Sequence, residues 1–171
     1  MAGHVSVLLR ESTEYLNIRP DGIYVDGTLG LGGHSAQIAS KLKTGRLIAI
    51  DRDETAIQRS SERLERWKDR ITFVHGNFRD LRAILDRLGI DRVDGVLLDL
   101  GVSSPQLDEA DRGFSYMADA LLDMRMDRGE ALTAREVVNT WSEAELTRIL
   151  KDYGEERYAA RIARRIVARR A

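Results

Sequence analysis

The chain has 171 residues, 43% of them hydrophobic and 32% charged, with a formal net charge of −1 at pH 7 and no cysteine. That length suits one domain with a real core and a small appendage. The near-zero charge excludes binding to nucleic acid by bulk positive charge, and the lack of cysteine excludes disulfides, thiolate zinc sites and a thiol nucleophile. No apolar run reaches the roughly 20 residues of a membrane span. Val5 to Leu9 is too short for a signal segment, and Glu11 and Glu14 follow at once, so the cytoplasm is the expected compartment.

Val5, Leu8, Leu9, Ser12, Tyr15 and Leu16 recur at helical spacing and predict an amphipathic helix over residues 5–17. Pro20-Asp21-Gly22 predicts a turn, and Ile23 to Asp26 a first strand. From Tyr24 the chain reads Tyr-Val-Asp-Gly-Thr-Leu-Gly-Leu-Gly-Gly-His-Ser, an apolar run closed by Asp26, then Gly27, Gly30, Gly32 and Gly33. A strand, a glycine turn and a helix start follow one another here, which lets backbone N–H groups approach a ligand closely. Ser35 to Lys43 carries Ile38, Ala39 and Leu42 on one helical face and is expected to stop at Gly45. Leu47 to Ile50 is apolar on both faces, as a buried parallel strand should be, and ends in Asp51. Ala56, Ile57, Leu64 and Trp67 mark a helix over residues 54–67, and Ile71 to His75 a third strand. Phe78, Leu81, Ile84, Leu85 and Leu88 form a helical stripe ending at Gly89. Val93 to Leu100, which contains Asp99, is the fourth strand.

Four strands alternating with helices predict an α/β fold with a doubly wound, mostly parallel sheet. Ligands bind beyond the carboxyl ends of such strands, and Asp26, Asp51 and Asp99 stand at three of those four ends. After Leu100 the regular period is lost until Thr133-Ala-Arg-Glu136 and Ser142-Glu-Ala-Glu145, both of which fit the capping box and predict helix starts. Tyr158, Ala159, Ile162, Ala163, Ile166 and Val167 stripe a last helix. Six arginines and no acid lie from Arg157 to Arg170, a pattern that reads either as a phosphate-facing surface or as a solvated helix face. Residues 1–104 are thus expected to form the cofactor-binding core and residues 105–171 a helical subdomain.

A carboxylate some 20 residues beyond a glycine turn can hold both hydroxyls of a ribose, and Asp51 lies 21 residues after Gly30. The glycine spacing departs from the G-x-G-x-x-G of nicotinamide dinucleotide sites. A carboxylate at Asp26 would repel a pyrophosphate but suits the cationic methionine end of S-adenosylmethionine, which is the expected cofactor; a nicotinamide-dependent dehydrogenase is the alternative from the generic sheet. Phe78 reads equally as an apolar cover for adenine or as core. His34 sits at a helix start, where its backbone N–H is expected to matter more than its imidazole. Neither His4 nor His75 has a neighbour at metal-ligand spacing, so no metal is expected. Ser103-Ser104-Pro105 leaves the fourth strand as an acceptor loop or as an ordinary turn. Methylation at C5 of a pyrimidine usually needs a cysteine adding to the ring, and the absence of cysteine excludes that route; an exocyclic amine such as N4 of cytosine would need acceptors on its N–H bonds but no covalent intermediate.

His4-Val-Ser-Val-Leu-Leu9, Val25 to Ser35, Ala49-Ile-Asp-Arg-Asp53, Leu97-Leu-Asp-Leu-Gly-Val-Ser-Ser-Pro-Gln-Leu-Asp108, Arg112-Gly-Phe-Ser115, Leu122-Asp-Met-Arg-Met-Asp127 and Tyr153-Gly-Glu-Glu-Arg157 with Arg161-Ile-Ala163 occur in order. Together they resemble the bacterial 16S ribosomal RNA cytosine-N4 methyltransferase family, over essentially the whole chain. The resemblance implies S-adenosylmethionine as cofactor and 16S rRNA of the small ribosomal subunit as partner, with methylation at N4 of a decoding-centre cytosine. Carried onto matching positions, it implies Gly32, Gly33 and His34 in the cofactor turn, Asp51 on the ribose, Phe78 by the adenine, and Asp99 and Gln106 near cofactor and acceptor. Asp99, Ser103, Ser104 and Pro105 are the candidates for a catalytic part. The family inserts an RNA-gripping helical subdomain after strand four and then returns to the sheet with further strands. The chain is therefore expected to be a shortened, N-terminal portion, either an active methyltransferase or a catalytically inactive fragment that binds the cofactor or rRNA. Val96 and Leu98 are then expected on an apolar sheet edge. No membrane partner is expected, and a homodimer is among the assemblies the sequence allows.

Overall fold

A computed structural model describes residues 6–170 of the protein. The chain divides into two compact units, residues 1–103 and 104–171. The first contains α1 (Leu9–Tyr15), β1 (Ile23–Asp26), α2 (Gly33–Lys41), β2 (Arg46–Asp51), α3 (Glu54–Arg63), β3 (Ile71–His75), α4 (Leu81–Arg87) and β4 (Gly95–Leu97). The four strands form one sheet in the order β3-β2-β1-β4, and every pairing is parallel, with Val25 opposite both Ile48 and Val96. This is the start of the doubly wound strand order, and its direction reverses between β1 and β4, the place where such sheets open a ligand crevice.

Alternation along the strands divides the core between two faces. Tyr24, Leu47 and Ala49 pack with Ile38, Leu42 and Leu64 on one side, and Val25, Ile48 and Ile50 pack with Ile84, Leu85 and Ile90 on the other. Burying both faces of a parallel sheet explains why these strands read as continuous apolar runs.

Several element ends differ from the pattern reading. The first helix begins at Leu9, because Leu8 takes a left-handed φ of 50°; Val5 lies outside the described residues. Helix α2 stops at Lys41 and Leu42 is already extended, since the N–H groups of Lys43, Thr44 and Gly45 all donate to the carbonyl of Pro20. Gly45 is therefore no helix cap. Helix α3 ends at Arg63 and continues as a 3-10 turn over Glu65–Arg70, and a 3-10 turn at Phe78–Asp80 precedes α4. Strand β4 has three paired residues rather than eight, as β1 offers partners only up to Asp26 opposite Leu97.

The second unit contains α5 (Ser104–Asp108), α6 (Ala134–Thr140), α7 (Glu143–Asp152) and α8 (Ala159–Ala168). Ser104-Pro105-Gln106 is thus the opening of a short helix rather than a turn; proline is tolerated in a first turn, where its missing N–H would have no partner. Ser142 and Glu145 form the full reciprocal capping box. At α6, Thr133 accepts the Glu136 N–H, which is one half of that motif. Ala159 and Ala163 of α8 are buried, and α8 packs chiefly against α7. Among the described residues, no helix is long and apolar enough to cross a membrane.

Candidate cofactor-binding site

The glycine turn between β1 and α2 is fixed by hydrogen bonds from three directions. Gly27 N donates to Leu97 O at 2.9 Å and Leu29 N to Ile50 O at 3.0 Å, continuing the ladders to β4 and β2. Gly30 N donates to Asp51 Oδ2 at 2.7 Å. From α3, Ser60 Oγ donates to Gly30 O at 2.6 Å and Arg63 Nη1 to Leu31 O at 2.9 Å. Gly30 and Gly32 take φ of +50° and +74°, values that glycine adopts without a Cβ penalty. An added Cβ at Gly30 would meet nothing nearer than Thr28 O at 3.9 Å, so open space lies against the backbone there.

Asp26 corrects one expectation. It is 0% exposed, and its carboxylate accepts Thr28 N at 3.1 Å and Ser35 Oγ at 2.7 Å. Its side chain fastens the turn to the start of α2 instead of offering a contact surface to a cation. Burial pushes its carboxyl above the ordinary value, against the opposing pull of the Ser35 and Thr28 hydrogen bonds and the neighbouring His34. Burial also raises the Asp51 carboxyl, opposed by the N–H groups of Asp53 and Gly30. Asp51 Oδ1 accepts Asp53 N at 2.9 Å, so each carboxylate oxygen already holds one backbone N–H. A carboxylate has about four lone-pair sites, which leaves capacity for a ligand hydroxyl.

His34 also differs from the sequence reading, because its imidazole is engaged. The ring is buried, with Nε2 3.0 Å from Val7 O and Nδ1 3.9 Å from Asp99 Oδ2. Asp99 is tied to the turn a second time, its N–H donating to Thr28 Oγ1 at 2.7 Å, while its side chain is 48% exposed. Phe78 is half-buried and belongs to neither core cluster; its Cβ lies beside Gly27, within 3.1 Å of where a Cβ would stand. Gly32, Gly33, His34, Asp51, Phe78 and Asp99 are thus gathered around one turn. Ser103 closes the first unit, and Ser104, Pro105 and Gln106 belong to the second, where Gln106 is 5% exposed. No group of three or more His, Asp or Glu side chains that could hold a metal ion occurs among the described residues.

The MraW methylase family model matches residues 1–171. The chain belongs to the MraW methylase family. It is similar to the ribosomal RNA small subunit methyltransferase H of Lachnospira eligens, with 58% identity over 98% of this chain and 53% of that protein. The Clostridioides difficile protein of the same name is 56% identical over 98% of this chain and 54% of its own length. The chain spans about half the length of the curated relatives it matches. Among solved structures, a SAM-dependent O-methyltransferase from Thermotoga maritima aligns with a TM-score of 0.48 and 19% identity, over 58% of this chain and 38% of that one.

Pattern reading missed two residues of this MraW-family turn, Ser60 and Arg63. The sequence signal was their spacing. With Leu64, they occupy positions i, i+3 and i+4 of one helix face, and a serine on a buried helix face needs a hydrogen-bond partner. The second unit holds a separate feature, a cavity of about 1160 Å³ whose lining includes Arg161, Arg165, Arg169, Asn139 and Tyr158.

Proposed function

We propose that the chain is a S-adenosylmethionine-dependent methyltransferase acting on N4 of a cytosine in the decoding centre of 16S rRNA, in the cytoplasm. The observation that carries this reading is the glycine turn at the β1–β4 reversal with Asp51 bonded across it, in a chain of the MraW methylase family. The residues fit the cofactor. Open space lies against Gly30, the first-turn N–H groups of Gly33 and His34 lie at a helix start, and Asp51 retains acceptor capacity for two ribose hydroxyls. Phe78 supplies an apolar wall for adenine, and Gly32 allows close backbone approach. When bound, S-adenosylmethionine supplies a methyl group on a sulfonium, which is transferred without its bonding electrons to a nucleophile.

The protein's part in such a transfer is alignment and exclusion of water, and good positioning is worth roughly 7–11 kcal/mol. An exocyclic amine is a weak nucleophile because its lone pair is delocalised into the ring. Acceptors on its N–H bonds counter that, and the exposed carboxylate of Asp99 is the acceptor we assign. Ser103, Ser104 and Pro105 start the segment proposed to approach the base, and Gln106 is proposed as a cofactor contact from the family resemblance alone. The RNA backbone is proposed to run along α8.

Isothermal titration with S-adenosylmethionine, followed by labelled methyl transfer to 30S particles and mapping of the modified base, tests the reading. Binding with transfer to cytosine N4 is the expected result, and absence of binding would sink it. A second reading is a fragment that binds cofactor or rRNA without transferring a methyl group. The unpaired outer side of β4, where Val96 and Leu98 are 41% and 45% exposed, favours it, and binding without transfer would support it.

A further inference from the structure

The imidazole of His34 stands between two groups that only accept hydrogen bonds. Its Nε2 lies 3.0 Å from the carbonyl oxygen of Val7, and a carbonyl has no proton to give. The proton of that bond therefore belongs to Nε2, and the neutral ring carries its bare lone pair on Nδ1, because the bond at one nitrogen fixes the tautomer at the other. Nδ1 is 3.9 Å from Asp99 Oδ2 and makes no hydrogen bond among the described residues. A nitrogen lone pair and a carboxylate oxygen are thus held side by side with no proton to share. The ring is enclosed, whereas the Asp99 side chain is half-exposed and open to a substrate. A second carboxylate, Asp26 at the end of β1, also acts electrostatically on His34. Asp26 is fully buried, and its oxygens already accept Thr28 N and Ser35 Oγ. It adds negative potential, while Asp99 offers a path to the outside.

We propose that the His34 imidazole is the proton acceptor behind Asp99: its Nδ1 takes over, through Asp99, the proton that a substrate amine loses on methylation. This rests on the methyltransferase reading above and on Asp99 as the acceptor of an N4 N–H. As the amine nitrogen forms its bond to the methyl carbon, the carbon–sulfur bond breaks and its electron pair stays on sulfur. The nitrogen, now positively charged, gives one N–H proton to Asp99 and keeps the bonding electrons. That proton passes on to His34 Nδ1, which leaves Asp99 ionised and the ring doubly protonated, still donating from Nε2 to Val7. The gap of 3.9 Å closes by rotation of the half-exposed Asp99 side chain, and bonds of this kind often tighten only in the substrate complex. The imidazolium so formed lies beside two carboxylates, which meets the need of a buried charge for a partner. Once the product leaves, the proton returns to solvent through Asp99.

The test joins NMR of the ring with single-turnover kinetics, on the wild-type chain, His34→Gln and Asp99→Asn. Glutamine keeps a donor for Val7 but has no basic nitrogen. Without substrate, long-range proton–nitrogen spectra should show the His34 ring with its proton on Nε2. The ring should titrate at lower pH in Asp99→Asn, since a neighbouring negative charge is gone. Labelled methyl transfer from S-adenosylmethionine to 30S particles is then followed from about pH 5 to pH 8, where imidazoles change charge. The wild-type rate should fall towards the acid end as Nδ1 fills with a proton from solvent. His34→Gln should lower the plateau rate about a hundredfold, as for loss of a general base, and should lose most of that fall. Its dissociation constant for S-adenosylmethionine should stay within about twofold, because a lost proton acceptor acts on kcat rather than on binding. A His34→Gln rate that drops but keeps the wild-type pH profile would show a structural role and overturn the relay. A ring protonated on Nδ1, or one whose titration ignores Asp99→Asn, overturns it too, whatever the activity. A wild-type chain that transfers no methyl group overturns the methyltransferase reading, and the relay with it.

Discussion

Asp51 accepts the backbone N–H groups of Gly30 and Asp53 before any ligand is present. Its replacement therefore acts on the turn as well as on the ribose contact proposed for it. Asp51→Ala is expected to weaken S-adenosylmethionine by about 1.5–3 kcal/mol, as for hydrogen bonds to a charged group, and titration calorimetry measures it; an unchanged dissociation constant would remove Asp51 from the ribose. Asp26 lends itself to a pH experiment. Its carboxyl is raised above 3.8 by burial, so the folded state binds the proton more tightly than the unfolded state. The favourable contribution is complete below the unfolded value and is lost as pH rises through the raised folded one. The stability of wild type relative to Asp26→Asn should therefore increase as pH falls from 7 towards about 4, measured as urea midpoints. A pH-independent difference would mean that Asp26 titrates as it does in the unfolded chain. The position of both carboxylates at strand ends was legible in the sequence, because a run of apolar residues closing on an acid marks it. Their differing surroundings were not. Whether a strand-end carboxylate is enclosed or open depends on Ser35 and Thr28 folding back over it, and no local pattern carries that.

At the scale of elements, the strands were readable because burial on both sheet faces imposes long apolar runs. Helix ends set by distant partners were not, as the collection of three N–H groups by Pro20 O shows at the end of α2. The capping boxes separate in the same way. Ser142→Ala at α7 removes a cap in the full reciprocal motif and should cost about 1 kcal/mol, read by thermal or urea unfolding. The basic helix gains definition from the structure. Arg164 is paired with Glu143 at 3.5 Å, and Arg170 Nε is bonded to Val138 O at 2.7 Å. Arg161, Arg165 and Arg169 remain exposed at four-residue intervals, spaced about 6 Å along the axis, and all three line the same cavity. Because α8 turns Ala159 and Ala163 inward, its outer face offers charge rather than apolar area, which suits a phosphodiester strand. Replacing Arg161, Arg165 and Arg169 together by Ala should lower the slope of log affinity for RNA against log salt by about 2, at roughly 0.7 per single-strand phosphate contact. Arg164→Ala should change it less, and an unaltered slope in the triple variant would assign α8 to solvent.

For the molecule as a whole, the strand order places the glycine turn at the reversal point and, among the described residues, gives β4 a neighbour on one side only. The apolar residues of that segment are consequently open, with Val96 41%, Leu98 45% and Leu100 68% exposed. The expectation of an apolar edge at Val96 and Leu98 came from the resemblance to the family and not from any local pattern. The short length of β4 was hidden, because its pairing is limited by where β1 ends. An unpaired apolar strand offers its N–H and C=O groups to any other strand, and natural sheets cover, charge or shorten such edges. In this chain three paired residues limit the hazard without removing it, and a second copy of the chain is the partner always available at high concentration. Sedimentation velocity across a hundredfold concentration range should therefore reveal self-association of the wild-type chain, on the logic of open edges. Val96→Lys, alone or with Leu100→Lys, should suppress it while leaving S-adenosylmethionine affinity intact, because neither side chain belongs to the turn. Leu98 is a poor choice for that experiment, as its side chain packs against Gly27. A wild-type chain that stays monomeric throughout, or lysine variants that associate equally, would show that β4 is not the surface through which copies meet.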